Sequence, residues 1–474
     1  EKKKKGKLRV MGGIDLVPRR VLSVHNNPNL PKEVPLVGLG CSSFSHFFWS
    51  SEELKAAGGL AQWTPDSIDR SHPHVEEWIR TILYAVRNCG INLLDTAPWY
   101  GHGTSEVVVG WAVEELLRVG TESSNAEKGK QSTNDINNEL PLCNYSFQRS
   151  SIIINTKVGR YNADPETQFD FSFQTTLQSV QRSLERMKCD YIDVLQLHDP
   201  EFSPSLSILL METIPAMMEC RNRGWCRALG ITGYPLEVQH QILLATKEQF
   251  EHVVFDISLT YCHYNLHDDS LFTRPIANMA PCTTNTNLEM KFDSLSSSPF
   301  SFADFVHSQS MALMAAAPLS MGLLVDNGPP PDWHPASPAL KLACHEASML
   351  LKSAKTDDTI PLSELAMLMA LANPRIPCTL VGMKNIQQVQ WAAQTACRFS
   401  TMAQTNETDP NRILSQVLTE QELFMYHQLR DPVNGPFASV WRDGLFRWDG
   451  SKAGYAFWNQ VKSVQAEHWQ AKPY

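Results

Sequence analysis

Eight short runs of β-forming residues recur along this chain, at 37–40, 91–96, 152–156, 191–197, 226–232, 253–259, 311–317 and 378–382. The segments between them carry apolar residues at helical spacing, as in Trp78, Ile79, Ile82, Leu83 and Val86, or Leu177, Val180, Leu184 and Met187. Strands that alternate with helices must run parallel, because each crossover returns the chain to the same end of the sheet. Eight such units predict an α/β fold, a closed (β/α)8 TIM barrel, with its reactive groups at the C-terminal ends of the strands.

Three of those ends carry polar residues that belong together chemically. The run Gly90-Ile-Asn-Leu-Leu-Asp95 leads to Tyr100 five residues later, Ile152-Ile-Ile-Asn-Thr-Lys157 ends on a lysine, and the next run ends at His198. An ammonium beside a phenol favours the phenolate and lowers its pKa, an aspartate keeps the lysine charged, and a histidine can hydrogen-bond a substrate oxygen. The set suits proton transfer. Taken singly, each residue has an ordinary structural explanation.

Three stretches interrupt the alternation, near 47–73, 120–148 and 281–301; the second and third are polar and read as mobile insertions. The expected organisation is a tail over 1–34, the barrel over 35–400 and an extension over 401–474 that packs on the barrel. That extension carries Trp441, Phe446, Trp448, Tyr455, Phe457, Trp458 and Trp469, too aromatic for a disordered segment.

The 41 basic and 50 acidic residues give a net charge of −9, which excludes a nucleic-acid surface, since phosphate neutralisation needs clustered Lys and Arg. The basic run Lys2 to Lys5 reads as a solvated tail, and no apolar segment of a secretory signal follows it. The uncharged interval 305–325 is interrupted by Ser308, Gln309, Ser310 and Pro318 and reads as a buried strand and loop rather than a membrane span. Eleven scattered cysteines, with no C-x-x-C pair, fit reduced thiols. A cytoplasmic enzyme is expected, a monomer or weak homo-oligomer with no membrane or nucleic-acid partner. The cluster His263, His267, Asp268 and Asp269 matches no familiar ligand spacing, so no metal is expected. Gly38-Leu-Gly40 lacks the third glycine of a dinucleotide fingerprint and reads as the first barrel strand.

The motifs Asp95-Thr-Ala-Pro-Trp-Tyr100-Gly, Thr156-Lys157 and Leu197-His198 resemble those of the aldo-keto reductases. The likeness is strongest to the branch of L-galactose dehydrogenase and D-arabinose 1-dehydrogenase. It is carried by His198-Asp-Pro-Glu-Phe202, Gly230-Ile-Thr-Gly-Tyr-Pro-Leu236, Tyr261-Cys-His-Tyr264, Ala317-Pro-Leu-Ser-Met-Gly-Leu-Leu324 and the proline-rich stretch ending at Pro338. It covers about 36–397, outside the insertions.

The resemblance implies Tyr100 as general acid/base, Lys157 as the residue that tunes it, Asp95 as the partner of Lys157, and His198 as the group orienting the substrate oxygen. It implies substrate contacts at Trp99, Asp199, Tyr264 and Trp333. It also implies a nicotinamide cofactor, NAD with NADP possible, because hydride chemistry lies beyond any side chain. Its contacts are expected from Thr232, Tyr261, Pro318, Leu319, Ser320 and Gly322, and from Gly382, Met383, Lys384, Asn385 and Gln388 around the N-terminus of the last helix. Here the site departs from the common pattern. Thr232-Gly233-Tyr234 replaces the usual Ser-Asn pair, Tyr261 stands for Gln, and Lys384 reads equally as a phosphate contact or a surface lysine.

The expected reaction is NAD-dependent oxidation of an aldose at C1 to its lactone, with a sugar of the L-galactose, D-arabinose or L-fucose type as substrate. Reduction of an aldehyde such as pyridoxal is the rival on the same fold. A regulatory, non-catalytic subunit is the rival of another class, disfavoured by the complete set of four.

Overall fold

The computed structural model describes residues 16–22, 27–118, 147–162, 167–275, 300–326, 334, 336–353, 360–400 and 407–438. Two short antiparallel strands come first, β1 (Arg19–Val21) and β2 (Glu33–Pro35). Eight parallel strands then close a barrel: β3 (Val37–Gly40), β4 (Leu93–Asp95), β5 (Ile153–Val158), β6 (Ile192–His198), β7 (Cys226–Gly233), β8 (Ile257–Tyr261), β9 (Ala312–Ala316) and β10 (Thr379–Gly382), the last pairing with the first. Every strand expected from the sequence is present. The sixth is displaced to 257–261 because Asp256 accepts the Leu229 N–H with its side chain, so the ladder begins one residue later. The apolar residues Val254 and Phe255 ahead of it are buried outside the barrel wall.

Helices follow each strand, and their ends obey local chemistry. Pro73–Cys89 carries a proline in its first turn and stops at Gly90, whose φ of 71° is left-handed. Phe173–Met187 is capped by Ser172, which accepts the Thr175 N–H. The apolar stripes of these helices cover the outside of the barrel. Inside, Leu93, Ile153, Val194, Ile257, Leu259, Met314 and Leu380 fill the lower layers, and a Cβ on Gly38 would lie 2.6 Å from Leu380 Cδ2.

Residues 16–22 and 27–34, expected to belong to a tail, include β1 and most of β2. Leu22, Leu30 and Val34 join the interior cluster and close the N-terminal end of the barrel. Arg20 fastens this plug by donating to the carbonyls of Leu371, Asn373 and Ile376 at 2.7, 2.7 and 3.0 Å. The apolar residues lie far apart in a short, Pro- and Asn-rich stretch, so no periodic signal announces them. The first insertion holds a helix, Ser51–Ala56, and packs Trp63 edge-on to Trp49 and Trp78 at 4.6 and 5.8 Å between ring centroids.

The second and third insertions fall almost wholly outside the described residues, as do the tail aromatics from Trp441 to Trp469. The described part of the extension forms helices Pro410–Val417 and Glu420–Leu429 against the barrel. Arg398 reaches Glu422 at 2.6 Å and Glu364 at 3.0 Å, and Leu414, Leu429 and Phe437 are buried. Among the described residues, no helix is long and apolar enough to cross a membrane.

Candidate active site

Alternation along a strand turns every second side chain inward. On β5 this places Ile153, Asn155 and Lys157 inside the barrel, and on β6 Val194, Gln196 and His198, with the last of each at the mouth. Asp95 ends β4 and meets Lys157 across the mouth, with Nζ 2.8 Å from Oδ2. The ammonium also donates to the Thr96 carbonyl at 2.8 Å, while Gln196 Nε2 donates to the other Asp95 oxygen at 3.2 Å. Asp95 is thereby held at both oxygens.

Tyr100 opens a tight turn after β4 in which Gly101 and His102 have φ of 60° and 54°. A Cβ on Gly101 would stand 2.5 Å from Ser45 Cβ, so the turn that delivers the phenol requires glycine there. The Lys157 ammonium lies over the Tyr100 ring, with Nζ 4.7 Å from the ring centroid. His198 stands edge-on to the same ring, with centroids 6.2 Å apart. The structure therefore brings Asp95, Tyr100, Lys157 and His198 together.

Charge is distributed unevenly among the four. Burial opposes the Lys157 ammonium, but the Asp95 carboxylate, Tyr100 and their hydrogen bonds outweigh it and push the pKa up to about 12. Burial raises Asp95, against the pull of Lys157 and Gln196. For Tyr100 the Lys157 ammonium acts in the lowering direction expected from the sequence, but burial outweighs it and pushes the phenol up to about 12. Lys157 limits this rise without reversing it. Burial takes His198 down to about 3, so its imidazole is neutral, with one donor and one acceptor nitrogen. Among the described residues, His198 Nδ1 has no hydrogen-bond partner.

Two residues expected to contact substrate, Trp99 and Asp199, flank the four. Asp199 Oδ2 lies 3.7 Å from His198 Nε2, and Arg160 joins the two flanking residues: its Nη1 is 2.8 Å from Asp199 Oδ2 and its guanidinium carbon 3.9 Å from the Trp99 ring centroid. Tyr264 is not brought to the mouth. It is buried in the outer core, edge-on to Phe272 at 5.0 Å. The left-handed Cys262, with φ of 63°, separates it from Tyr261 on the strand. Trp333 lies outside the described residues.

On the other side of the mouth, Thr232 ends β7 in register with His198, and Tyr261 ends β8 edge-on to Tyr234 at 5.3 Å. After β9 come Pro318, Leu319 and then Ser320, Met321 and Gly322, with φ of 49°, 53° and 97°, three left-handed residues in succession. After β10, Met383 is buried and its carbonyl accepts from Ser43 Oγ at 3.0 Å, whereas Lys384 is exposed. Asn385 caps Ile386–Cys397 by accepting the Gln388 N–H, and Gln388 Oε1 accepts the Lys384 N–H at 2.8 Å. Gln388 thus serves the turn itself.

Gln196, Asn155 and Arg160 escaped the sequence reading. The first two were available from strand periodicity, since each precedes a site residue by two positions. Asn155 is fully buried and, among the described residues, neither side-chain amide atom has a partner. Nothing in the sequence distinguishes Arg160. A cavity of about 540 Å³ lined by Tyr161, Phe171, Arg182 and Glu212 lies beside the site, and none of the four site residues lines it. The histidine and acid cluster is structurally engaged: His263 bonds Ser270 and the Tyr234 carbonyl, Asp268 accepts the Ser270 N–H, and Asp269 pairs with Arg430. Among the described residues, no group of three or more His, Cys, Asp or Glu could hold a metal.

Residues 59–404 match the model of the aldo/keto reductase family. The chain is 31% identical to L-galactose dehydrogenase of Arabidopsis thaliana over 70% of its own length and 82% of that protein. It is 32% identical to D-arabinose 1-dehydrogenase of Saccharomyces cerevisiae over 40% of its length and 47% of that protein. In three dimensions it is similar to an aldo-keto reductase from Bacillus halodurans in its holo form, with a TM-score of 0.51, 20% identity, and coverage of 90% of this chain and 98% of that one. With its closed eight-stranded barrel, the chain is an oxidoreductase of the aldo/keto reductase family.

Proposed function

We propose that this protein oxidises an aldose at C1 to the lactone with NAD, using Tyr100 as the group that accepts the anomeric hydroxyl proton. The observation that carries the reading is the placement of Lys157 Nζ 4.7 Å from the Tyr100 ring centroid and 2.8 Å from Asp95 Oδ2, at the C-terminal ends of the strands. Lys157 stabilises the phenolate that takes the proton, Asp95 and Gln196 hold Lys157 charged and in place, and neutral His198 hydrogen-bonds the same substrate oxygen. The likeness to a galactose and an arabinose dehydrogenase selects the substrate class.

The other half of the mouth fits a dinucleotide. Gly40 and Gly382 are register partners at adjacent strand ends, and a Cβ on Gly382 would meet nothing within 4 Å, so the surface there is bare backbone. The left-handed run Ser320 to Gly322 and the start of helix Ile386–Cys397 would hold the phosphates. When bound, the nicotinamide supplies the two-electron chemistry that side chains lack. Thr232 and Tyr261 would border it. NAD is favoured over NADP because Gln388 is committed to the turn, leaving Lys384 as the single cation of residues 382–388.

A second reading, reduction of an aldehyde or other carbonyl, is supported by the likeness to an NADH-specific methylglyoxal reductase, 34% identical over 37% of this chain. A panel of sugars and aldehydes assayed in both directions with both nucleotides separates the two. L-Galactose, D-arabinose and L-fucose share their configuration at C2, C3 and C4. They should be oxidised, with D-galactose and D-glucose at least ~10-fold poorer, because a misplaced hydroxyl leaves buried partners unpaired. Aldehyde reduction with no aldose oxidation would establish the second reading.

A further inference from the structure

We propose that Arg160 is a specificity-determining residue of this site, one that selects neutral substrates bearing hydroxyl groups beside the reacting carbon. The inference rests on the reading of Asp95, Tyr100, Lys157 and His198 as the reacting centre, but not on the substrate being an aldose. Arg160 follows the strand that carries Lys157, and three contacts fix it: the ion pair with Asp199 at 2.8 Å, the Trp99 face at 3.9 Å, and an Nε bond to Gln168 Oε1 at 3.1 Å. Its side chain is 15% exposed, so these contacts are scarcely screened.

This geometry makes one continuous wall, Trp99–Arg160–Asp199, ending 3.7 Å from His198 Nε2. A substrate oxygen on His198 therefore has its neighbouring carbons against that wall. Asp199 there offers acceptors, the guanidinium offers donors, and the indole offers an apolar face of the kind that covers the C–H groups of a sugar ring. Arg160 Nη2 has no partner among the described residues. Asp199 is held in a left-handed backbone conformation, φ 48°, and its N–H donates to the Thr232 carbonyl at 2.9 Å, so the carboxylate has little freedom to follow a ligand. Glu201, two positions further along the loop, is buried, its Oε2 has no partner among the described residues, and it adds a further polar atom. Because Arg160 neutralises Asp199, the wall carries polarity without net charge, which suits a polyol better than an acid or a plain aldehyde.

Arg160 also governs His198. The charged groups acting on that imidazole are Asp199, Lys157 and Arg160, and the two cations oppose its protonation while Asp199 favours it. Removing Arg160 leaves Lys157 alone to oppose Asp199, which lies 3.7 Å from the imidazole.

The test compares wild type with Arg160→Met and Arg160→Lys. In the reducing direction with NADH, the substrates are glyceraldehyde and propanal, which differ only in two hydroxyls. In the oxidising direction with NAD, the substrate is D-arabinose. Arg160→Met should lose at least ~10-fold in kcat/KM for glyceraldehyde and arabinose, mostly through KM, with propanal within ~3-fold, and Arg160→Lys should fall between. The acid limb of the glyceraldehyde profile should move to higher pH in Arg160→Met. Calorimetric binding of arabinitol, which lacks the reacting carbon, to the NAD complex should weaken ~10-fold in parallel. Equal losses on glyceraldehyde and propanal, an unchanged glyceraldehyde KM, or no arabinitol binding by wild type would each overturn the proposal. A wild type that reduces glyceraldehyde but leaves arabinose untouched would remove the aldose reading and leave the role of Arg160 standing.

Discussion

The two arcs of the barrel mouth are built from opposite materials. From β4 to β6 the strand ends carry Asp95, Lys157 and His198, whose long side chains converge on Tyr100 and pair with one another. From β9 through β10 to β3 they carry Ala316, Gly382 and Gly40, and the polar groups are those of the backbone. The first arc works through side-chain charge and the second through left-handed peptide units and a helix terminus. Substitutions should therefore separate them: the first arc responds to a change of functional group, the second to a change of backbone freedom.

The largest effect is expected on the first arc. Tyr100→Phe removes the proton carrier, and Lys157→Met removes the charge that restrains a phenol already raised to about 12. Each should lower kcat by at least ~100-fold while nucleotide affinity, read by quenching of intrinsic fluorescence, stays within a few-fold. Parallel loss of binding and turnover would break the separation.

The second arc is probed by Gly322→Val. The φ of 97° disfavours any branched residue, while nothing within 4 Å would crowd the new Cβ, so strain is the only penalty. A strain of ~1–3 kcal/mol at the proposed phosphate loop predicts nucleotide affinity reduced ~10-fold, with the pH profile of saturated turnover unchanged. A changed pH profile with normal affinity would reverse the assignment. Lys384 sharpens the same point on a smaller scale. As an exposed side chain in a backbone-built site, its replacement by Ala should alter NAD affinity less than ~3-fold, and kcat/KM should stay higher with NAD than with NADP.

The same division explains what the sequence disclosed. Strand positions followed from alternation and from the punctuation between apolar runs, and the four candidate site residues stood at strand ends or, for Tyr100, in the turn just after one, where their chemistry could be recognised. Gln196 and Asn155 were one step of the same periodicity away. Arg160 was not legible, because its role arises from where a loop carries it rather than from any pattern. Tyr264 was misplaced because left-handed Cys262 ends the inward alternation, a backbone property that cysteine does not advertise. The plug formed by Leu22, Leu30 and Val34 was missed because its residues bury against a barrel assembled hundreds of positions later.

The smallest expected effect concerns stability. Burial, then the nearby Asp199 charge, pushes Glu201 from 4.5 up to about 8. The native state therefore holds this proton more tightly than the unfolded chain does. Its stabilisation is complete below about 4.5 and is lost as pH rises through 8. The Tm should decline across that window, and Glu201→Gln, neutral throughout, should flatten the decline. An identical slope in the variant would show that Glu201 is ionised in the native protein.

The central claim is that this mouth takes a proton from the anomeric hydroxyl of a sugar and leaves a lactone. Mass spectrometry of the first product formed from D-arabinose and NAD, with wild type beside Tyr100→Phe, tests it most directly. A product two mass units lighter than the sugar, formed by wild type and nearly absent with Tyr100→Phe, is the predicted result. No such product from any aldose, with an alcohol formed from an aldehyde under NADH, would contradict it.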